Sequence, residues 1–331
     1  MQTIYNRNSK ENAPTVLILG GHGFIGRYTS QELNKLNANV IIGTRGHGEL
    51  AEHERQVKLH QTLTEAQWIK VLNNVDVVIN TVGILRERKD ESFEAVHHLS
   101  VSALARTCQK HDIPLIHMSA LGLSADIKDK FIASKLRGEN AIKKANCHGA
   151  IVRASIVNAP EGYGAGWMYK VARWPIWLLP SGATKILCPI EATDLGEVLA
   201  TLAVQTFQQG NQNKLSTYEV ACEEKLNLER YLLRLRNQQA ITPKKPWLCI
   251  RIPQVITKFF ARIFDVLHLT PYSNGHHELL QNDNAPINNH VIKILGRKPK
   301  EIGNPPIIQA DDTVNVGKYT LFLKQLRGGL K

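Results

Sequence analysis

The stretch Gly20-Gly21-His22-Gly23-Phe24-Ile25-Gly26 constrains this chain more than any other. It follows the apolar run Val16-Leu17-Ile18-Leu19 and leads into an amphipathic segment that ends near Leu36. Strand, glycine turn and helix, in that order, form the unit that cradles a dinucleotide pyrophosphate. The first glycine permits a tight turn, the second lets the backbone approach phosphate, and the third lets helix and strand pack closely. The helix N-terminus then turns its free N–H groups toward the anion. Three spaced glycines alone are weak evidence. A second apolar run, Asn39-Val40-Ile41-Ile42, supplies the context the motif requires. The competing reading is an ordinary glycine-rich loop of an α/β domain. Dinucleotide binding is the expectation, with Gly20, Gly23, Phe24, Ile25 and Gly26 at the pyrophosphate.

The rest of the chain keeps the same rhythm for a while. Short apolar runs at 15–19, 39–43, 56–60, 75–80, 113–118 and 149–153 read as strands, and segments at 25–36, 64–73, 92–110 and 131–145 read as helices. This alternation predicts a Rossmann-type, doubly wound parallel sheet of the α/β class. After Arg153 the rhythm changes. Residues 158–190 are rich in Gly, Pro and Trp, and are expected to be irregular, either shaping a pocket or forming a packed connector. A helix over 191–206, a strand over 215–220 and a helix over 224–237 follow. The expected organisation is a disordered lead-in at 1–13, a nucleotide domain at 14–221 with a pocket insertion at 156–190, and a smaller α-rich C-terminal part at 222–331.

Charge narrows the partners. The chain of 331 residues carries a net +12, and its last part, 241–331, holds 13 Lys/Arg against 6 Asp/Glu. Such an excess suits nucleic acid, an anionic membrane or an anionic ligand. No basic run has interleaved aromatics, so nucleic acid is not an expected partner. The segment 252–268 places Ile252, Val255, Ile256, Phe259, Phe260, Ile263, Phe264 and Leu267 on one wide stripe, with Arg251, Lys258 and Arg262 beside it. This predicts a basic amphipathic helix, packed on the body or lying on an anionic membrane surface. Its charges and Pro253 argue against a spanning helix. The N-terminus has no apolar core of a secretory signal. Five dispersed cysteines read as reduced thiols of a cytosolic protein. The adjacent pair His276-His277 lacks the spacing of a metal site, and no metal is expected.

Beyond the glycine turn, cofactor preference is readable at the end of the second strand, Gly43-Thr44-Arg45. A carboxylate there accepts bonds from ribose hydroxyls and repels a 2′-phosphate, whereas an arginine attracts it. Arg45 therefore predicts NADP(H), with NAD(H) the weaker alternative. Arg27, in the first helical turn, opposes the helix dipole unless an anion lies nearby.

These residues resemble the short-chain dehydrogenase/reductase superfamily, in its extended and atypical branches. The turn at 19–26 matches the glycine motif of the extended branch. Asn80-Thr81-Val82-Gly83 matches the strand that runs beneath the cofactor. His117-Met118-Ser119-Ala120-Leu121-Gly122 matches the strand bearing the family's active-site Ser, and Ser134-Lys135-Leu136-Arg137-Gly138-Glu139 the helix bearing its Lys. Arg153-Ala154-Ser155-Ile156-Val157 is similar to the family's Arg-Pro-Ser-Ile-Val segment, with Ala154 for Pro. The resemblance implies that Ser119 and Lys135 are the catalytic positions and that both also hold the nicotinamide end. It further implies a cofactor set that includes Thr44, Leu63, Thr81, Val82 and Gly83.

A narrower resemblance, carried by Ala95-Val96-His97, the 117–122 strand and Glu278 to Asn284, is to bacterial relatives of the NADPH-binding accessory subunit of respiratory complex I. It implies a protein partner in a respiratory or quinone-related complex, and a cytoplasmic location peripheral to the inner membrane. One departure matters. The family's Tyr, four residues before the Lys, is Phe131 here. Phe has no proton to give, and loss of a general acid is worth about 10²–10⁴ in rate. The expectation is an NADP(H)-binding protein with a structural or regulatory role. The alternative is an active oxidoreductase, epimerase or dehydratase that uses Lys135, Ser119 or a histidine (His97, His98 or His117) as acid. A third reading is an NADP-sensing regulator that binds a protein partner.

Overall fold

The computed structural model describes residues 13–46, 49–126, 129–181, 184–210, 214–239, 246–259 and 282–303. Its centre is β1 (Thr15–Leu19), which from Val16 to Leu19 is apolar without alternation because both faces of the sheet are covered. Val16 and Ile18 enter one core and Leu17 and Leu19 the other. β1 pairs in parallel with β2 (Asn39–Thr44) and β4 (Val77–Asn80). Outward from these lie β3 (Glu54–Gln56) on one side and β5 (Leu115–Ala120), β6 (Gly149–Ala154) and β10 (Ser216–Val220) on the other. The seven parallel strands run in the order β10-β6-β5-β4-β1-β2-β3. The chain reverses its direction of travel between β1 and β4, so a crevice opens beyond their carboxyl ends, where ligands of open α/β sheets bind.

Two helix layers enclose this sheet. On one face, α1 (Phe24–Lys35) lies against α6 (Ala192–Gln209). They approach so closely at Gly196 that a Cβ there would lie 2.8 Å from the Tyr28 carbonyl carbon. On the other face lie α2 (Glu65–Val71), a π-helical turn (Glu94–Leu99) that runs into α3 (Ser100–Lys110), and α4 (Lys130–Ala145). Trp68 of α2 is fully buried there, its Nε1 donating to the Ser100 carbonyl at 3.2 Å.

Several expectations shift at their edges. The third strand lies at 54–56, before the predicted 56–60. Val57 and Leu59 are buried just past its end, so the alternating apolar pair reports core contact beyond the ladder. The stretch 158–190 is more ordered than predicted. Val157–Asn158 (β7) pairs with Ile190–Glu191 (β9), and between them run α5 (Tyr163–Arg173) and β8 (Ile176–Pro180). α5 tolerates its glycines because one is required: a Cβ at Gly166 would lie 2.5 Å from the Pro160 carbonyl oxygen.

α5 packs on α7 (Leu228–Gln239), building a third core around Tyr169, Trp177, Leu187, Tyr231 and Leu235. β8 pairs in parallel with β11 (Leu248–Ile252). The amphipathic helix predicted from residue 252 therefore starts later. Ile252 ends a strand, as the residue before a proline prefers, and helical turns begin at 254. Residues 260–268 of that prediction lie outside the described residues, as does the lead-in at 1–12.

Within this third core, the Asn158 amide joins Glu191 (2.9 Å), Tyr169 (3.2 Å) and Tyr231 (2.7 Å). Burial pushes the Glu191 carboxyl up to about 7; the Asn158 bond opposes this, and Asp194 and Glu161 add to it. A group raised above its ordinary value stabilises the fold fully below that value, 4.5 here, and the contribution is lost as pH rises through 7. Glu191→Gln is therefore expected to have little effect at pH 4.5 and to stabilise the chain by ~1–3 kcal/mol at pH 8. Denaturant unfolding of both proteins across that range checks the sign.

Candidate functional site

The crevice above β1 and β4 is a cleft of about 1470 Å³. Its rim at β1 is the glycine turn. Gly20 has φ +79° and donates its N–H to the Gly43 carbonyl at 3.0 Å, which closes the turn over β2. Gly23 caps α1 with no side-chain bond, and the first turn of α1 has no acidic residue. The helix thus presents its N-terminal N–H groups toward the cleft. Two close approaches enforce glycine. A Cβ at Gly23 would lie 2.9 Å from the Gly20 oxygen, and one at Gly26 would lie 2.2 Å from it. This cradle fits a pyrophosphate.

Of the candidate cofactor residues, Gly20, Gly23, Phe24, Ile25, Thr44, Arg45, Thr81, Val82, Gly83, Ser119 and Lys135 line the cleft. Gly26 is buried behind the turn. Arg27 is exposed on α1 and does not line the cleft. Leu63 does not line it either: it sits ahead of the α2 capping box, its N–H donated to Gln67 Oε1 at 2.9 Å. Val57, Leu59 and His60 form the wall where Leu63 was expected. The family resemblance placed this contact at the helix start, whereas the chain reaches the cleft just past the end of β3.

Arg45 is 59% exposed and meets Glu91 Oε1 at 3.4 Å; His60 Nδ1 approaches the same oxygen at 3.4 Å. Glu91 comes from a tight turn closed by the Arg88–Glu91 backbone pair. That turn also brings Arg86 and Arg88 to the cleft. These residues were not anticipated, although the charge-dense stretch 86–91 was the signal.

At the opposite end, Ser119 on β5 donates to Glu139 Oε1 at 2.6 Å. Arg153 on β6, in register with Ser119, holds Glu139 through Nε, which donates to both carboxylate oxygens at 3.0 and 3.2 Å, and Nη2, which donates to Oε2 at 2.6 Å. Burial alone would raise the Glu139 carboxyl; the Arg153 and Ser119 bonds outweigh it and hold the group below its ordinary value. The Ser119 proton is thus directed away from the cleft.

Lys135 reaches the cleft beside Gly83, and burial pushes it down to about 8. Phe131 packs edge-on against Phe93 and His97, with Lys135 Nζ 5.8 Å from its ring centre. The histidines are committed elsewhere. His97 accepts the Ile84 N–H at Nε2 (3.1 Å) and donates from Nδ1 to Ser134 (2.9 Å); burial, then Lys135, keeps it neutral. His117 accepts from Asn80 at 3.2 Å, and burial pushes it down to about 3. Neither His97 nor His117 lines the cleft, and His98 pairs with Glu94 at 2.6 Å. This weakens the expectation of a histidine acid.

Arg251, expected beside the amphipathic stripe, is paired with Glu229, and Arg262 lies outside the described residues. Among the described residues no group of His, Cys, Asp and Glu could hold a metal ion, and no helix is long and apolar enough to cross a membrane.

Residues 16–170 match the NAD dependent epimerase/dehydratase family. The chain is 24% identical over 225 residues to the mitochondrial NADH dehydrogenase [ubiquinone] 1 alpha subcomplex subunit 9 of Arabidopsis thaliana, covering 62% of this chain and 55% of that one. It is 24% identical over 310 residues to the mitochondrial NADH-ubiquinone oxidoreductase 40 kDa subunit of Neurospora crassa, covering 88% and 77%. The chain thus spans little more than half of the first relative and about three quarters of the second. Among solved structures it resembles the Bordetella bronchiseptica enzyme WbmH in complex with NAD⁺, with a TM-score of 0.60 at 10% identity, covering 88% and 95%.

Proposed function

We propose that this chain binds NADP(H) and serves as an accessory or regulatory subunit of a respiratory or quinone-related complex, with the usual dehydrogenase chemistry lost. In this reading Gly20, Gly23, Phe24 and Ile25 hold the pyrophosphate, and Thr44 and Arg45 the adenosine ribose and its 2′-phosphate. Thr81, Val82 and Gly83 lie beneath the cofactor, and Ser119 and Lys135 flank the nicotinamide end. Residues 14–221 form the cofactor part, while 222–331 and the 156–190 insertion face substrate or partner. The names of the Arabidopsis and Neurospora relatives support membership in a complex I-like assembly.

The observation that carries the loss of chemistry is Phe131. A bound nicotinamide supplies or accepts hydride. The accompanying proton needs a donor, and the ring that stands beside Lys135 has none. The Ser119 hydroxyl donates its hydrogen bond to Glu139. Calorimetry with NADPH, NADP⁺, NADH and NAD⁺ tests the reading. NADPH should bind best, and Arg45→Ala should weaken it by about tenfold or more while leaving NADH nearly unchanged. A wide preference for NADH would overturn it.

A second reading rests on Lys135. An ammonium pushed down to about 8 is poised to exchange protons near neutrality, so an active reductase remains the alternative. Turnover of NADPH with carbonyl or nucleotide-sugar substrates that disappears in Lys135→Ala would establish it. The proposed contact with an anionic membrane, through the basic 252–268 segment, fails if sedimentation with anionic liposomes is indifferent to salt and to neutralising Lys258 and Arg262.

A further inference from the structure

The cleft has two chemically different ends. At one end Arg45 and His60 meet Glu91, with Arg88 in the same turn, and His22, Arg86 and Glu87 also line the cleft. The described lining residues contributed by the later part of the chain, Ala154 to Asn284, include no acid, lysine, arginine or histidine side chain. α5 forms much of this second wall: Tyr163, Ala165, Trp167, Met168 and Val171, with Trp174 just past its end, line the cleft, while Tyr169 and Ala172 enter the core shared with α7. Leu228 and Leu232, one turn apart on α7, face them. Two of this wall's polar side chains are already engaged. Ser155 donates to Asn284 at 2.5 Å, and Thr257 to the Gln254 carbonyl at 3.0 Å.

The size of the cleft exceeds the roughly 300–1,000 Å³ that suits one ligand. A nucleotide sugar in the second end would bring a diphosphate, and the described walls there offer no cation to it. A peptide would bring amides that need partners.

The rim of this end is apolar and exposed. Leu178 and Ile256 line the cleft and are 58% and 46% exposed. The apolar surface continues outward over β8 and β11, where Ile176 pairs with Leu248 and Leu178 with Ile250, all four exposed on one face. Trp247 (86% exposed), Val255 and Phe259 extend it. An apolar patch of this kind marks a contact surface, and Trp247 suits the boundary between hydrocarbon and water.

We propose that the uncharged end is a binding site for a long hydrocarbon chain, drawn in over the β8–β11 rim from a lipid phase, with its polar head held near Ser119 and Lys135. The proposal rests on the dinucleotide reading only in leaving this end of the cleft free. The chain is either the acyl tail of a lipid or the tail of a quinone; both present the same methylenes to the same wall.

Tryptophan fluorescence of the full chain, alone and with NADPH, titrated with 1-octanol, 1-decanol and 1-dodecanol, tests it. Affinity should rise about threefold to fourfold per added methylene. A dodecanoyl lysophospholipid and a decyl-substituted benzoquinone distinguish the two sources by which binds more tightly. Ile256→Glu, on the exposed rim, should weaken dodecanol binding at least tenfold. Gly164→Trp should do the same by filling the cleft, because a Cβ at Gly164 meets nothing within 4 Å. Affinity that does not depend on length, tighter binding of UDP-glucose than of dodecanol, or dodecanol binding unaltered in both variants would overturn the proposal. Failure of NADPH to bind, with the length dependence intact, would sink the dinucleotide reading and leave this one standing.

Discussion

Arg153→Ala is expected to destabilise the chain by ~3–5 kcal/mol, the usual range when one partner of a buried ion pair is removed. Glu139 is fully buried, and its carboxylate is satisfied by Arg153 and Ser119, with Lys143 at 3.6 Å. Without the guanidinium the carboxylate must either remain charged in a poor solvent or take up a proton. Burial, no longer opposed by the guanidinium, would carry its pKa upward. Arg153→Ala should therefore be least harmful at low pH, where the acid is protonated in both states. Adding Glu139→Gln should recover much of the loss at neutral pH by removing the charge that was stranded. Denaturant midpoints of the two single variants and the double variant at pH 5 and pH 8 check both statements. A double variant no better than Arg153→Ala would show that the guanidinium matters for something other than Glu139.

The second large effect concerns the glycine turn. Gly26→Ala should lower NADPH affinity by at least about 100-fold, because its methyl would lie 2.2 Å from the Gly20 carbonyl oxygen and 2.7 Å from Gly21 Cα. Neither is a flexible side chain that can move aside, so the turn itself must shift. It carries the N–H groups that face the cleft, and overpacking of this kind adds ~1–3 kcal/mol of destabilisation. Gly164→Ala is the internal control. It is also a helical glycine lining the same cleft, but its new methyl meets open space, and the higher helix propensity of alanine should leave the chain equally or slightly more stable. Calorimetric titration with NADPH and thermal melts of both variants separate crowding from a general intolerance of substitution.

The central strands and their helices were legible because local pattern and tertiary role agree. A strand buried on both faces must be apolar throughout, and Val16 to Leu19 is. The glycine turn was legible because its spacing encodes backbone contacts. Legibility failed where a residue's role depends on something far away in sequence. Leu63 lies close to the predicted place in the chain but points its backbone into a capping box. The turn that brings Glu91 to Arg45 is 46 residues distant, and no periodicity reports it. Glu139 and Arg153 were visible as types within two motifs. Their pairing through Ser119 required the strand register that places 119 beside 153. In 158–190 the glycines suggested irregular chain. Gly166 is there because Pro160 presses on it, inside a regular helix.

Asn284 has a consequence for the order of events. Its side chain accepts from Ser155 and from the Ile156 N–H and donates to the Leu121 carbonyl, while its backbone joins residues 186 and 188. One amide thus ties the ends of β5 and β6 to the segment before β9, across more than 120 residues of sequence. During vectorial synthesis the sheet from β1 to β6 can assemble from residues already released, whereas this clasp cannot close until residue 284 emerges. At the roughly 5–20 residues per second of translation, the floor of the cleft stays unfastened for several seconds after its strands exist. A nascent chain halted before residue 284 should be cleaved by protease near Leu121 and Ser155, and a full-length Asn284→Ala chain should mature slowly even when its final fold is sound.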